Sequence, residues 1–244
     1  MTRIRFQQSL EELKEQLLVM ARLAEQAIQR ATEAYRVRDL SICDLVSRNE
    51  IEINLLERDI DQAALELLAM EQPMAGDLRF ILSVIKINAE LERVGDAAKS
   101  ISDRVRHMEQ MAMAELPVDI PRMATLATAM VHKSLQSFIE ADAEIARSVL
   151  TMDDAVDAMN KAAIKSLIKV MEEQSHLAPQ ALNALMISRA LERVADHATN
   201  ICEDVIFWVQ GYDVRHYKSL IKDAEQQDKG EAAAQPPMDP PPGR

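Results

Sequence analysis

Cysteine appears twice and glycine five times in 244 residues, aromatic side chains make up 3%, and basic residues are outnumbered. Each scarcity excludes something. Cys43 and Cys202 lie far apart with no C-x-x-C, which removes a disulfide scaffold and leaves two small buried residues in a reducing compartment as the expectation. So few turn glycines and strand-forming aromatics rule out an all-β fold. Lys and Arg total 28 against 40 Asp and Glu, a net charge of -12, and that balance argues against a nucleic-acid binder. The longest stretch free of Asp, Glu, Lys and Arg runs only from Gln174 to Ser188, and it holds Gln, Ser, His, Pro and Asn. A membrane-spanning helix needs about 20 mostly apolar residues, so none is expected. The opening MTRIRFQQSLEELKEQ has no apolar core of a secretory signal.

What is abundant suits helices: Ala, Leu, Ile, Met, Glu and Asp. Apolar residues step by three or four at Leu10, Leu13, Leu17, Met20, Ala24, Ala27 and Ala31, again at Ile53, Leu56, Ile60, Ala64 and Leu67, and again from Ile81 to Met108. Prolines punctuate these runs at Pro73, Pro117, Pro121 and Pro179. The pattern predicts helices over about 6–37, 39–71 and 73–111, a linker, then helices over about 122–149, 152–174 and 178–213. Residues 113–121 carry the linker, and residues 216–244 read as a disordered tail rich in Pro, Gln and Ala.

The halves repeat. Residues 85–105 read IKINAELERVGDAAKSISDRV and residues 185–205 read LMISRALERVADHATNICEDV, with nine of 21 positions identical at an offset of 100 and no gap. A shared L-E-R-V-x-D exceeds what helix composition alone produces. The expected fold is all-α: two tandem, pseudo-symmetric, antiparallel three-helix bundles, 1–112 and 122–215.

On the third helix of each half, Glu92 and Asp96, and Glu192 and Asp196, lie one turn apart on one face beside the apolar stripe. The second helices offer Glu50 and Asn54 within NEIEIN, and Asp153 and Asp157 within DDAVD. Like charges at this spacing cost an isolated helix about a few tenths of a kcal/mol. If helices two and three pack antiparallel, four oxygen-bearing side chains converge in each half, a donor set for hard metal ions. A single Glu-x-x-x-Asp is ordinarily a solvated face; duplication in register is what singles these out. His107, His132, His176 and His197 read as surface or packing residues, and the 14 methionines as adaptable core filling.

Gln72-Pro73-Met74-Ala75-Gly76-Asp77-Leu78-Arg79 resembles the Q-P-x-A-x-D-L-R segment of PhoU proteins, and the two L-E-R-V-x-D runs resemble that family's paired acidic helices. The resemblance covers about residues 5–215 and implies a cytoplasmic, non-enzymatic regulator of phosphate uptake. It implies an adaptor between a sensor histidine kinase and the ATPase subunit of a phosphate ABC transporter, and a homodimer. It also implies multinuclear iron or zinc clusters in some members, with Mg or Mn as further hard-cation choices, on Glu50, Asn54, Glu92 and Asp96 and on Asp153, Asp157, Glu192 and Asp196. Two departures stand out. Asn54 supplies an amide where a carboxylate is the rule, so the first site should bind more weakly, and the second half reads HLAPQALNA where the first has its Q-P segment. Asp77 and Arg79 therefore occur once, as a helix start or as a partner contact. A ferritin-like iron protein needs two Glu-x-x-His motifs and the chain has one, Glu173-x-x-His176. A metal-dependent phosphatase needs an open metal site with a general acid or base.

Overall fold

A computed structural model describes residues 3–214; the expected tail at 216–244 and the last residue of the expected second bundle lie outside the described residues. Among the described residues there are seven α-helices and no strand: α1 (Arg3–Val37), α2 (Leu40–Glu71), α3 (Gly76–His107), α4 (Ile120–Glu140), α5 (Ala143–Leu150), α6 (Asp153–Glu173) and α7 (Ala178–Gln210). None is long and apolar enough to cross a membrane.

The expected fourth helix, 122–149, is two helices that belong to different arms. Ala141 adopts a left-handed φ of 52°, and Asp142 caps α5 by accepting from the backbone N–H of Glu144 and Ile145. The same device stands between α1 and α2, where Arg38 has φ 58° and Asp39 accepts from the Ser41 N–H. Aspartate at an N-cap satisfies donors the helix start leaves open, so each Asp fixes a reversal. Hence α4 repeats α1, and α5 with α6 repeats the continuous α2. The sequence period runs on through Ala141 because alanine gives no warning of a left-handed residue.

In the first half α1, α2 and α3 pack on one another; in the second α4, α5 and α6 pack on α7. The halves meet where α3 lies against α7, with α1 touching α4 on one side of that seam, and the described residues up to Tyr212 form one compact unit. Leu13, Leu17, Ile53, Ile60, Ile81, Ile87 and Leu91 are fully buried, as are Leu167, Leu191, Val194 and Ile201. Both cysteines are buried and unpaired, as expected from their spacing. Burial pushes the Cys202 thiol up to about 12, so it stays protonated. Three of the few aromatic rings gather at one end of the seam: Trp208 lies 5.1 Å from Phe80 and 5.3 Å from Phe138, tilted against both.

Contacts across the seam run antiparallel. Arg79 donates to the Trp208 carbonyl (3.2 Å), Ser83 to the Asp204 carbonyl (3.0 Å), and Glu90 accepts from Asn200 (2.9 Å). The α3 number rises as the α7 number falls, which places a pseudo-two-fold axis beside Arg93 and Val94 and their repeats Arg193 and Val194.

Candidate functional site: two carboxylate groups

Each half presents acidic side chains between its second and third arms. In the second half, Asp153 and Asp157 open α6 and Glu192 and Asp196 lie on α7. Three of them act on the fourth: burial pushes the Asp196 carboxyl up to about 6, with further repulsion from Glu192, Asp153 and Asp157, while the His197 imidazole opposes. Asp196 keeps an exposed edge, so the surrounding density rather than full enclosure produces this shift. Asp157 is joined by Lys161 at 3.2 Å on the solvent side.

In the first half, Glu50 on α2 faces Glu92 and Asp96 on α3. Burial raises the Glu92 carboxyl, Asp96 and Glu57 repel it further, Arg93 opposes, and Glu50 adds a last repulsion. Asn54 donates its amide N–H to Glu50 Oε1 at 2.6 Å, a bond that uses Nδ2 and not the Oδ1 that would meet a cation. Two more acids, Glu57 and Asp61, lie further along α2. Glu57 is raised by burial and by Asp61 and Asp96, with Arg93 opposing. Asp61 accepts from Asn88 Nδ2 at 2.9 Å, and Asn88, completely buried, leaves its Oδ1 without a hydrogen-bond partner. Glu57 and Asp61 were missed although their i, i+4 spacing is the same signal; they lie seven residues, about two turns, beyond Glu50 and Asn54, the pair that matches DDAVD.

Position for position the second half differs. Where the first has Glu57 and Asn88 it has Asn160 and Ser188, bonded to each other at 2.9 Å. The donors are all oxygen and suit a hard cation in kind. Among the described residues, however, no three His, Cys, Asp or Glu side chains stand together as a ready metal-holding set. The single Glu-x-x-His match does not form a helical pair: Glu173 ends α6, and His176 falls in the short 3₁₀ turn Ser175–Leu177.

The Q-P segment makes the turn between α2 and α3. Gln72 and Ala75 both adopt positive φ, 46° and 47°, and Asp77 falls in the first turn of α3. Arg79 reaches across to the carbonyl at the end of α7. His197, read from sequence as a surface or packing group, is half-buried and meets Glu90 at 2.8 Å. Glu90 also takes hydrogen bonds from Arg93 (2.6 Å) and Asn200. Burial alone would raise the Glu90 carboxyl, but the His197 and Asn200 bonds outweigh it and hold it below the usual range.

The PhoU domain profile matches residues 17–105 and 120–205. The chain belongs to the PhoU family. A phosphate-specific transport system accessory protein PhoU homolog from Pseudomonas aeruginosa is 34% identical over 228 residues, 93% of this chain and 94% of that protein. The Escherichia coli phosphate-specific transport system accessory protein PhoU is 31% identical, covering 86% of this chain and 88% of its own length. The crystal structure of PhoU from Pseudomonas aeruginosa superposes with a TM-score of 0.82 at 34% identity, covering 85% of this chain and all of that one. The phosphate transport system regulatory protein PhoU from Streptococcus pneumoniae gives 0.79 at 29% identity, over 86% and 99%. Each PhoU match spans both halves, so the duplication is a property of the family.

Proposed function

We propose that the chain is a regulator of phosphate uptake that acts by contact rather than by catalysis. It adapts the ATPase subunit of a phosphate ABC transporter to a sensor histidine kinase, from the cytoplasmic side and as a homodimer, and restrains the starvation response when phosphate is plentiful. The observation that carries this reading is the match, over 86–93% of the chain, to accessory proteins of phosphate-specific transport. The acidic balance supports it, because protein partners tolerate what the phosphates of nucleic acid would repel.

The carboxylate groups are the proposed cation sites. Glu50, Asn54, Glu92 and Asp96, with Glu57 and Asp61, would hold an iron, zinc or similar hard cation in the first half; Asp153, Asp157, Glu192 and Asp196 would hold one in the second. A bound cation would relieve the mutual repulsion that raises Glu92 and Asp196. The test is alkaline phosphatase activity in phosphate-replete cells carrying wild type, a deletion, or the deletion complemented with Glu92→Ala/Asp96→Ala/Glu192→Ala/Asp196→Ala. High activity in the deletion is expected. Unchanged activity there sinks the regulatory reading, and full complementation by the quadruple variant, present at wild-type level, removes the carboxylates from the mechanism.

A further inference from the structure

The seam between α3 and α7 has a covered side, where α1 meets α4, and an open side. On the open side the acidic chain turns basic. Lys86, Arg93 and Arg104 follow one another on α3 at intervals of seven and eleven residues, close to whole numbers of helical turns, and so share a face. Arg189 and Arg193 do the same on α7 at an interval of four. Because α3 and α7 are antiparallel about the pseudo-two-fold, Arg93 and its repeat Arg193 emerge side by side on this one face. Arg93, Arg189 and Arg193 are exposed. Two of the five cations are partly neutralised, Arg93 by its bond to Glu90 and the nearby charges of Glu57 and Glu92, and Lys86 by Asp204 at 3.1 Å. The side chains of Arg104, Arg189 and Arg193 carry no ion pair among the described residues.

We propose that this open face of the seam is a docking surface for an acidic segment of a partner protein. The charges set the sign of the occupant. Three arginines free of ion pairs on a chain of net charge -12 attract carboxylates locally while the rest of the surface repels a large polyanion. Asp96 and Asp196, both exposed, border the stripe on either side. A nucleic-acid duplex or an anionic bilayer would be pushed back by those borders. Arginine also suits the task, since its planar fork meets a carboxylate through two hydrogen bonds.

The test is fluorescence polarisation of labelled poly-L-glutamate with the full chain at low and at physiological salt. Binding at low salt that weakens with salt is expected. Arg189→Glu/Arg193→Glu should weaken it at least about tenfold, and Arg189→Gln/Arg193→Gln by a smaller factor. Arg122→Glu/Lys133→Glu, the same charge change on exposed positions of α4, should leave it within about twofold. Since the side chains of Arg189 and Arg193 make no hydrogen bond or ion pair among the described residues, both seam variants should melt with wild type. Equal weakening by the α4 variant, or stronger binding of duplex DNA or phosphatidylglycerol vesicles than of polyglutamate, overturns the proposal. It rests on the adaptor reading only for the identity of the partner. Polyglutamate binding lost in the seam variants, beside unchanged alkaline phosphatase in the deletion strain, would keep this surface and discard the phosphate role; the reverse would discard the surface alone.

Discussion

The first half carries its acids along the middle of a continuous helix; the second carries them at the start of a broken one. Glu50, Glu57 and Asp61 lie within α2, and the position that would complete the first pair is Asn54. In the second half the arm breaks between Leu150 and Asp153, so Asp153 falls in the first turn of α6 with Asp157 one turn on, while Asn160 and Ile164 stand where the first half has Glu57 and Asp61. A helix start accepts negative charge that a helix middle resists. The break therefore eases acids into that end, and the unbroken arm spreads its acids over three turns. What the duplication retained is an acidic face against the L-E-R-V-x-D helix, not a fixed set of positions.

The core should show the least difference between the halves. Leu91 and Leu191 are both completely buried at matching positions, and each change to Ala should cost about 2–5 kcal/mol in chemical denaturation. Costs differing by more than half would break the symmetry. The seam should show a clear difference. His197→Ala removes a partner from buried Glu90 and should cost about 1–3 kcal/mol. The position matching His197 is Ala97 and that matching Glu90 is Ala190, so the first half has no counterpart to lose.

The caps grade the comparison more finely. Asp142 accepts two backbone N–H groups and Asp39 one, so Asp142→Ala should lower stability by about 1 kcal/mol or more and Asp39→Ala by less. Equal losses would say that the second bond is idle. The smallest effect is a slope with pH. Asp196 titrates near 6 in the fold and near 3.8 when unfolded, so the folded chain binds the extra proton between them. Its contribution is fully present below pH 3.8 and is lost as pH rises through 6. Asp196→Asn should flatten that part of the melting-temperature profile and raise stability at pH 7.5. Glu92→Gln, whose carboxyl is also raised, should do the same more weakly. A loss of stability in Asp196→Asn would mean that a bound cation, not repulsion, governs the site, and chelation of the wild type would then lower its melting temperature.

Six arms and their duplication were legible because burial enforces a period of three to four residues, and Leu91 and Leu191 show it directly. The split at Ala141 was not, since an alanine in a left-handed turn leaves no mark on periodicity; the aspartate after it was the available clue, and Asp39 had already used it. The acids of α3 and α7 could be read from their repeated motif. Glu57 and Asp61 were passed over because their repeats are neutral. Glu90 and His197 could not be paired from sequence at all, for they sit 107 residues apart and their repeats are both alanine.

That last asymmetry governs what happens if the chain is divided between α3 and α4. A first-half fragment meeting a copy of itself would set Glu90 against Ala97, and a second-half fragment would set His197 against Ala190. Only the unlike fragments satisfy both. Co-expressed pieces should therefore reassemble as a heterodimer, with neither piece able to stand in for the other despite their common origin.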